Sequence, residues 1–287
     1  MTMPERDYRA LKAVSYTVFI KPIVKHTPAH SLWLQTHDSA DTASRGYLGA
    51  VHCLALTFDQ FDDQYVVCHI RRDKRTKAYQ AFLAEAGDRT VLTAKEDAQA
   101  RATAEAIRNH PRVAEALAGD HLAEQSYVVQ SGALGTCKGR VDLIWFDHAN
   151  KVVWFIDLKS WKTNVPKRVA EDITREAWGV QLAWYEMLAA MSGAIPEGYS
   201  TKRVTLIACE GSGDYSGMVQ VGWHEHTPAM CAVADKRLSD ALGTIIECRE
   251  SGVWPGQYNE SQADPSKWAV LAAGLDPEEI LSLPTLP

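Results

Sequence analysis

Residues 137–159 decide the fold, and they read Cys-Lys-Gly-Arg-Val-Asp-Leu-Ile-Trp-Phe-Asp-His-Ala-Asn-Lys-Val-Val-Trp-Phe-Ile-Asp-Leu-Lys. Two apolar runs flank a polar cluster at 147–151, which predicts a pair of strands joined by a turn. Such a hairpin would fold Asp142 back beside Asp157 and Lys159. Side chains at i and i+2 of a strand share a face, so Asp157 and Lys159 point the same way while Leu158 points into the core.

Two acids and a lysine that converge at strand ends suit a metal-dependent phosphodiesterase. The carboxylates of Asp142 and Asp157 and the backbone carbonyl of Leu158 would form a hard oxygen site, which Mg²⁺ or Mn²⁺ prefers. A bound ion would activate water and stabilise the phosphate, and Lys159 would position or deprotonate that water. The alternative is a surface hairpin whose acids and lysine form only weak ion pairs.

The composition is that of an ordinary globular protein with a sizeable core, since 46% of the 287 residues are hydrophobic and 23% are charged. The formal net charge of -6 gives no general indication of nucleic-acid binding. Positive charge is concentrated in residues 71–77, which fit either a solvated loop face or a loop that contacts DNA phosphates. The basic side chains of this run are Arg71, Arg72, Lys74, Arg75 and Lys77, and the first four are the candidates for DNA contact.

The six cysteines show no zinc-ribbon or iron–sulfur spacing, because even the nearest pair, Cys53 and Cys68, are far apart in the chain. We expect them to be reduced core residues of a cytoplasmic protein. The N-terminal residues lack an apolar signal region. The apolar run 152–156 is too short to span a bilayer, so we expect no membrane association.

The order of the predicted elements favours an α/β fold. The part before residue 120 is mainly helical, with a helix over 46–57 that carries His52, a short strand over 64–70 and a mixed polar segment over 79–92. A lone histidine in such a helix is usually a core residue. From residue 124 onward we expect a mixed sheet flanked by helices, with the carboxylates on its central strands. The predicted elements there are strands at 126–130, 137–147, 151–159, 203–209 and 218–223 and helices at 166–191 and 227–247.

The chain resembles the PD-(D/E)XK nuclease superfamily in its acid, acid-x-lysine and Gln-x-x-x-Tyr motifs. These are Asp142, Asp157-Leu158-Lys159, and Gln181 with Tyr185. More closely, it is similar to the phage-type RecE (exonuclease VIII) and lambda-exonuclease-like branch, from about Leu11 to Gln257. The further matching motifs are Ser15, Thr27-Pro28-Ala29-His30, Gly49-Ala50-Val51-His52 with Phe61, Asn109-His110-Pro111, Glu124-Gln125-Ser126 and Lys138-Gly139-Arg140-Val141-Asp142. Val141 stands where the namesake proline of the superfamily would precede the acid.

The resemblance implies a restriction-endonuclease-like core over residues 121–260. A helical region over 1–120 would contribute a residue to the site, and a tail over 261–287 would be partly disordered. It also implies a role for each matching residue. His52 would be a metal-site residue, Glu124 a further acid near the site, and Gln181 and Tyr185 would line the DNA-facing side of a helix. Arg140, which shares a strand face with Asp142, is a candidate for phosphate contact.

The activity that the resemblance implies is a Mg²⁺-dependent exonuclease encoded by a phage or prophage in a bacterial host. It would degrade linear duplex DNA from the 5′ end and leave a 3′ single-stranded overhang for a partner annealing protein. Relatives form closed rings, so a ring-shaped homo-oligomer with a local basic channel is expected. The alternatives are a structure-specific endonuclease of the same fold and a DNA-binding or assembly protein that keeps the fold without activity.

Overall fold

The computed structural model describes residues 3, 5–37, 43–73, 75–211 and 217–256. Lys74 of the basic run and the predicted tail over 261–287 lie outside the described residues. Eleven α-helices are assigned in the described part of the chain, together with a π-helical turn at Tyr16–Ile20 and a 3₁₀ turn at Phe58–Gln60. The helices are α1 Glu5–Ala10, α2 Lys21–Lys25, α3 Pro28–Thr36, α4 Ala43–Leu56, α5 Phe61–Gln64, α6 Lys77–Ala86, α7 Ala94–Arg108, α8 Pro111–Ala118, α9 Pro166–Arg175, α10 Trp178–Met191 and α11 Pro228–Ser251.

A five-stranded mixed sheet forms the centre of the molecule, and its strands follow one another in chain order. Neighbouring strands are antiparallel except for one parallel pair, β5 with β6, which the helical crossover through α9 and α10 permits. The α/β fold class is therefore confirmed. The strands are β1 Tyr65–Cys68, β2 Thr90–Thr93, β3 Asp120–Ser131, β4 Gly135–Asp147, β5 Val152–Ser160, β6 Ser200–Glu210 and β7 Val219–Glu225, with β1 and β2 forming a separate parallel pair.

Helices cover both faces of the sheet. On one face, Val153 and Phe155 of β5 pack with α10 and α11, and on the other Trp154 and Ile156 pack with α4, α7 and α8. The nearly continuous apolar sequence of β5 is explained by this position, since a central strand covered on both sides is buried from Val152 to Leu158. The acids predicted to form the site, Asp142 and Asp157, accordingly lie on the two central strands β4 and β5.

The prediction of one long helix over 166–191 is wrong. The chain forms two helices that are separated by Glu176 and Ala177, and Ala177 has the left-handed backbone angle φ 59°. Apolar residues continue at spacings of three and four on both sides of this break, so the periodicity in the sequence does not show it. The break gives α10 its own direction, and it places Gln181 in the first turn of that helix.

The segment at 79–92, predicted to be mixed and polar, contains most of α6 and the start of β2. Thr76 caps α6 by accepting a hydrogen bond from the backbone N–H of Tyr79. The short strand predicted over 64–70 is present as β1, whereas its four-residue partner β2 was not predicted. All six cysteines are free thiols, as expected. Among the described residues, no helix combines the length and the apolar character that crossing a bilayer requires.

Candidate metal centre and catalytic site

The site begins where the backbone ladder between β4 and β5 ends. Leu143 pairs with Ile156 through the backbone. At the next residue, Asp142, the side chain rather than the backbone bonds to β5. Its Oδ2 accepts a 2.8 Å hydrogen bond from the backbone N–H of Leu158. The predicted hairpin therefore brings Asp142 beside the Asp157–Lys159 segment and fixes the orientation of its carboxylate. The proposed use of the Leu158 carbonyl as a metal ligand stays a prediction, whereas the Leu158 N–H has a defined role.

Two further side chains meet the carboxylate of Asp142. His52 arrives from α4, and its Nδ1 lies 3.7 Å from Oδ2 of Asp142 and 3.8 Å from Oε1 of Glu124, which is on β3. One donor atom from each of these three residues lies within 4.8 Å of the others. Three separate elements thus direct an imidazole and two carboxylates toward one point.

The backbone of Glu124 has an uncommon conformation. In the antiparallel register Ala123 pairs with Leu143 and Gln125 with Val141, so Glu124 lies opposite Asp142. Its φ of 49° is in the left-handed region, which costs a residue with a β-carbon about 1–2 kcal/mol. Strained backbone of this kind is concentrated at functional sites. Glu124 was expected to be an acid near the site, and the structure brings its carboxylate to Asp142 and His52.

A second group of residues extends from Asp157 along the sheet to α10. The side chain of Asp157 is fully buried, and its Oδ2 lies 2.6 Å from Nζ of Lys159. Lys159 also donates to Oε1 of Gln181 at 3.2 Å, and Nε2 of Gln181 donates to the hydroxyl of Tyr185 at 2.7 Å. The surface-hairpin alternative is wrong, because a fully buried aspartate cannot belong to a solvated ion pair.

Burial and mutual repulsion set the acidity of these groups. Burial raises the pKa of Asp157 to about 6, and the charge of Asp142 adds to the effect while Lys159 opposes it. Burial, aided by Glu124, also raises the pKa of Asp142. Burial acts to lower the pKa of His52, but the charges of Asp142 and Glu124 outweigh it and the pKa is raised. Without a cation, this group of residues therefore tends to hold protons.

A divalent cation fits this arrangement. Oδ1 of Asp157 has no hydrogen-bond partner among the residues that the structure describes, and Oδ2 has only the ammonium of Lys159, at 2.6 Å. Buried carboxylates without donors are costly unless a cation compensates them. His52, Glu124 and Asp142 offer two carboxylates and an imidazole, a donor set that suits Mg²⁺, Mn²⁺ or another divalent ion.

Tyr185 reaches the site because β4 has a glycine below its ring. A β-carbon on Gly139 would lie 2.6 Å from Cδ1 of Leu188 and 3.1 Å from Cδ1 of Tyr185, so a larger residue would displace α10. This role of Gly139 was not predicted. The one indication in the sequence is a glycine inside a strand pattern, which often marks a position where another element packs closely against the strand.

The predicted phosphate contact Arg140 is engaged within the molecule. Its Nε donates to Oγ of Ser126 at 2.9 Å, its Nη2 donates to the carbonyl of Met3 at 2.6 Å, and its guanidinium lies 4.5 Å from the ring centre of Tyr8. The N-terminal segment therefore covers Arg140 in this conformation. A phosphate contact through Arg140 stays a prediction, and it would require that segment to share or release the guanidinium.

The arginines of the basic run differ in their contacts and exposure. Arg72 donates to the carbonyl of Val91 at 2.5 Å and lies 3.4 Å from the carboxylate of Glu96. Arg75 pairs with Asp73, while Arg71 is exposed. The structure does not bring this loop into the hydrogen-bonded group of Asp142, Asp157 and Lys159, so its contact with DNA remains untested.

No protein-family model and no curated protein matches the chain. The solved structures that match include the 2.19 Å crystal structure of a proposed exonuclease from Eubacterium rectale. The TM-score is 0.57 at 12% sequence identity, and the match covers 96% of this chain and all of the other. At this identity the likeness establishes a shared fold, which agrees with the nuclease-like core expected from the sequence.

Proposed function

We propose that the protein is a divalent-metal-dependent nuclease that hydrolyses phosphodiester bonds in DNA. The observation that carries the proposal is the buried Asp157, whose carboxylate has only Lys159 as a partner among the described residues, next to the His52, Glu124 and Asp142 cluster. A shared fold with a protein for which exonuclease activity is proposed supports the same reaction class. Mg²⁺ is the proposed ion, and Mn²⁺ is expected to substitute for it.

The proposed reaction divides between the two groups of side chains. His52, Glu124, Asp142 and Asp157 would hold the metal, which when bound supplies an activated water and a charge opposite the phosphate. Lys159 would orient the attacking water and offset the negative charge that develops on the phosphate. Gln181 and Tyr185 would keep the ammonium of Lys159 in place, because Gln181 bonds both to it and to the hydroxyl of Tyr185.

We further propose the finer activity that the family resemblance implies. The enzyme would degrade linear duplex DNA from the 5′ end and leave a 3′ overhang for a single-strand annealing protein. It would act as a ring-shaped homo-oligomer in the cytoplasm of a bacterium that carries the phage or prophage. The support for these features is the motif set that runs from Leu11 to Gln257 in the order of that branch.

The test is to incubate the purified protein with linear duplex DNA and Mg²⁺, beside the same DNA as a covalently closed circle. We expect loss of the linear DNA, no loss with EDTA, and no loss with Asp157→Asn. Asp147→Asn, at the last residue of β4, serves as a matched control that should retain activity. Intact linear DNA, or degradation that persists in Asp157→Asn, would contradict the nuclease assignment.

The closed circle separates the two enzymatic alternatives, because an exonuclease leaves it intact and a structure-specific endonuclease nicks or opens it. End-labelled duplexes then report the polarity of degradation. A protein that binds duplex DNA with Mg²⁺ but cuts neither substrate would be the inactive DNA-binding alternative. The retention of Asp142, Asp157 and Lys159 in one buried group favours activity, since binding alone has no use for that group.

A further inference from the structure

The segment that carries Lys21 is held beside the site by two contacts. The hydroxyl of Tyr16 donates to the carbonyl of Ala177 at 2.7 Å, and Lys25 forms an ion pair with Glu176. Both partners belong to the turn from which α10 begins, one turn before Gln181, which in turn holds Lys159. The π-helical turn and α2 therefore lie against the α10 end of the site.

The ammonium of Lys21 differs from its neighbours in having no anionic partner. Lys21 is half-buried, and within the described residues its ammonium forms neither a hydrogen bond nor an ion pair. Lys25, on the same short helix, is paired with Glu176. Burial lowers the pKa of Lys21, and so do the positive charges of Lys25 and Lys159, while Glu176 and Asp157 act in the opposite direction. A partly desolvated cation of this kind is unfavourable unless an anion joins it.

The charges of the site indicate which anion that would be. The three carboxylates of Glu124, Asp142 and Asp157 and the one ammonium of Lys159 together leave two negative charges. A divalent ion balances those two charges, with His52 neutral as a ligand. A DNA phosphate would then add one uncompensated negative charge. Lys21 lies one helical turn before Lys25 on α2, the helix whose Lys25 meets Glu176 in the turn before α10, and its ammonium supplies the matching positive charge.

We propose that Lys21 is a phosphate-contacting residue, whose ammonium binds a non-bridging oxygen of the DNA strand that lies over Asp157 and Lys159. This inference rests on the proposed nuclease function and adds to it a binding residue that the sequence motifs do not include. A flexible four-carbon stem with a compact charge suits such a contact, because it can follow the phosphate without a fixed bidentate geometry.

The experiment measures the binding of a short duplex in Ca²⁺, which supports binding without rapid cleavage in many Mg²⁺ nucleases, for Lys21→Gln and Lys21→Met. We expect affinity to fall about tenfold and the slope of log K against log salt to become shallower by about one phosphate contact. Lys21→Arg keeps the positive charge and should retain the wild-type slope. Lys236→Gln removes an exposed charge that is paired with Asp240 on α11, and it should match the wild type.

Two further measurements keep the outcomes distinct. In Lys21→Met, which retains the apolar stem of the side chain, Mn²⁺ affinity should be unchanged. Thermal stability should be unchanged or higher, because an unpaired, partly desolvated charge is removed. An unaltered salt slope in both Lys21 variants would overturn the role of Lys21 while the wild type still cleaves DNA. A wild type that neither binds nor cleaves DNA would overturn the proposed function, and the role of Lys21 would fall with it. Loss of Mn²⁺ binding in the variants would also overturn the proposal, because Lys21 would then act on the metal centre.

Discussion

The backbone N–H of Leu158 donates a 2.8 Å hydrogen bond to Oδ2 of Asp142, at the point where the ladder between β4 and β5 ends. This bond joins the two acidic strands through a side chain, and it holds one oxygen of Asp142 in a fixed direction. The same oxygen lies 3.7 Å from Nδ1 of His52. Asp142 therefore has both a structural role, as a hydrogen-bond acceptor, and a proposed role as a metal ligand, and the two can be separated.

Asp142→Asn should weaken the binding of a divalent ion without unfolding the protein. The amide oxygen of asparagine can still accept from the Leu158 N–H, but the charge is lost. We expect Mn²⁺ affinity in titration calorimetry to fall by at least about tenfold. The midpoint of thermal unfolding in EDTA should be unchanged or higher, because repulsion among the buried acids is relieved. Unchanged Mn²⁺ affinity would remove Asp142 from the metal centre.

The left-handed backbone of Glu124 predicts that glycine is favoured there over alanine. Both Glu124→Gly and Glu124→Ala remove the carboxylate, so the difference between them isolates the backbone. We expect the glycine variant to be more stable by about 0.5–1 kcal/mol in urea unfolding with EDTA, because glycine adopts positive φ without the β-carbon penalty.

Lys151 gives a matched control for Glu124. It also has a positive φ, 53°, but lies in the exposed turn between β4 and β5, away from the metal cluster. The free energy of unfolding of Lys151→Gly should exceed that of Lys151→Ala by a similar amount. Mn²⁺ affinity should not change in either variant. An alanine variant at 124 that is as stable as the glycine variant would show that the left-handed conformation carries no cost.

The central sheet and the main acids could be predicted from the sequence because they depend on short-range patterns. The apolar runs around the turn at 147–151 define β4 and β5, and a hairpin brings their acids together. The position of Asp157 on a strand buried on both faces was not predicted from that pattern alone. Its burial depends on helices that pack from distant parts of the chain.

The meeting of His52 and Glu124 could not be derived from spacing, since one lies on α4 and the other on β3. Only the resemblance to a nuclease family indicated these two residues. The break at Ala177 and the position of Lys21 depend on long-range contacts, such as the bond from Tyr16 to the Ala177 carbonyl. No local pattern encodes a contact between residues so far apart in sequence.

The hydrogen-bonded series Lys159, Gln181 and Tyr185 predicts coupled effects on catalysis. Gln181→Ala removes the second acceptor of the Lys159 ammonium, and Tyr185→Phe removes the hydroxyl that accepts from Gln181. We expect kcat to fall about 10–100-fold in the first variant and less in the second, because a positioning contact is lost while the acids remain.

The double variant tests whether these residues act as one unit. If Tyr185 acts through Gln181, the double variant should be no slower than Gln181→Ala, and the coupling should be about 0.5–3 kcal/mol in a double-mutant cycle on kcat. Duplex affinity in Ca²⁺ provides a second measurement as a control for folding. An unfolded variant would lose this affinity as well as kcat. Strictly additive effects on kcat would instead show that Tyr185 acts independently of Gln181.

His226 predicts a loss of stability in acid that is independent of the metal centre. Its ring is buried, and its Nε2 lies 2.9 Å from Oγ1 of Thr205. Burial, aided by the positive charge of Arg203, lowers the pKa of His226 to about 4. Between the unfolded value near 6.5 and that value, the unfolded chain binds more protons than the folded one, so stability falls as the pH falls.

The expected contribution of His226 is about 3 kcal/mol of unfolding free energy lost between pH 6.5 and pH 4. His226→Gln retains a polar group that can bond to Thr205 but does not titrate, so its free energy of unfolding should decline less over this range. Urea unfolding in EDTA at half-unit pH steps measures both curves, with the exposed His69→Gln as a control. Parallel curves for the wild type and His226→Gln would mean that the buried ring is protonated in the folded protein, against the environment that Thr205 and Arg203 provide.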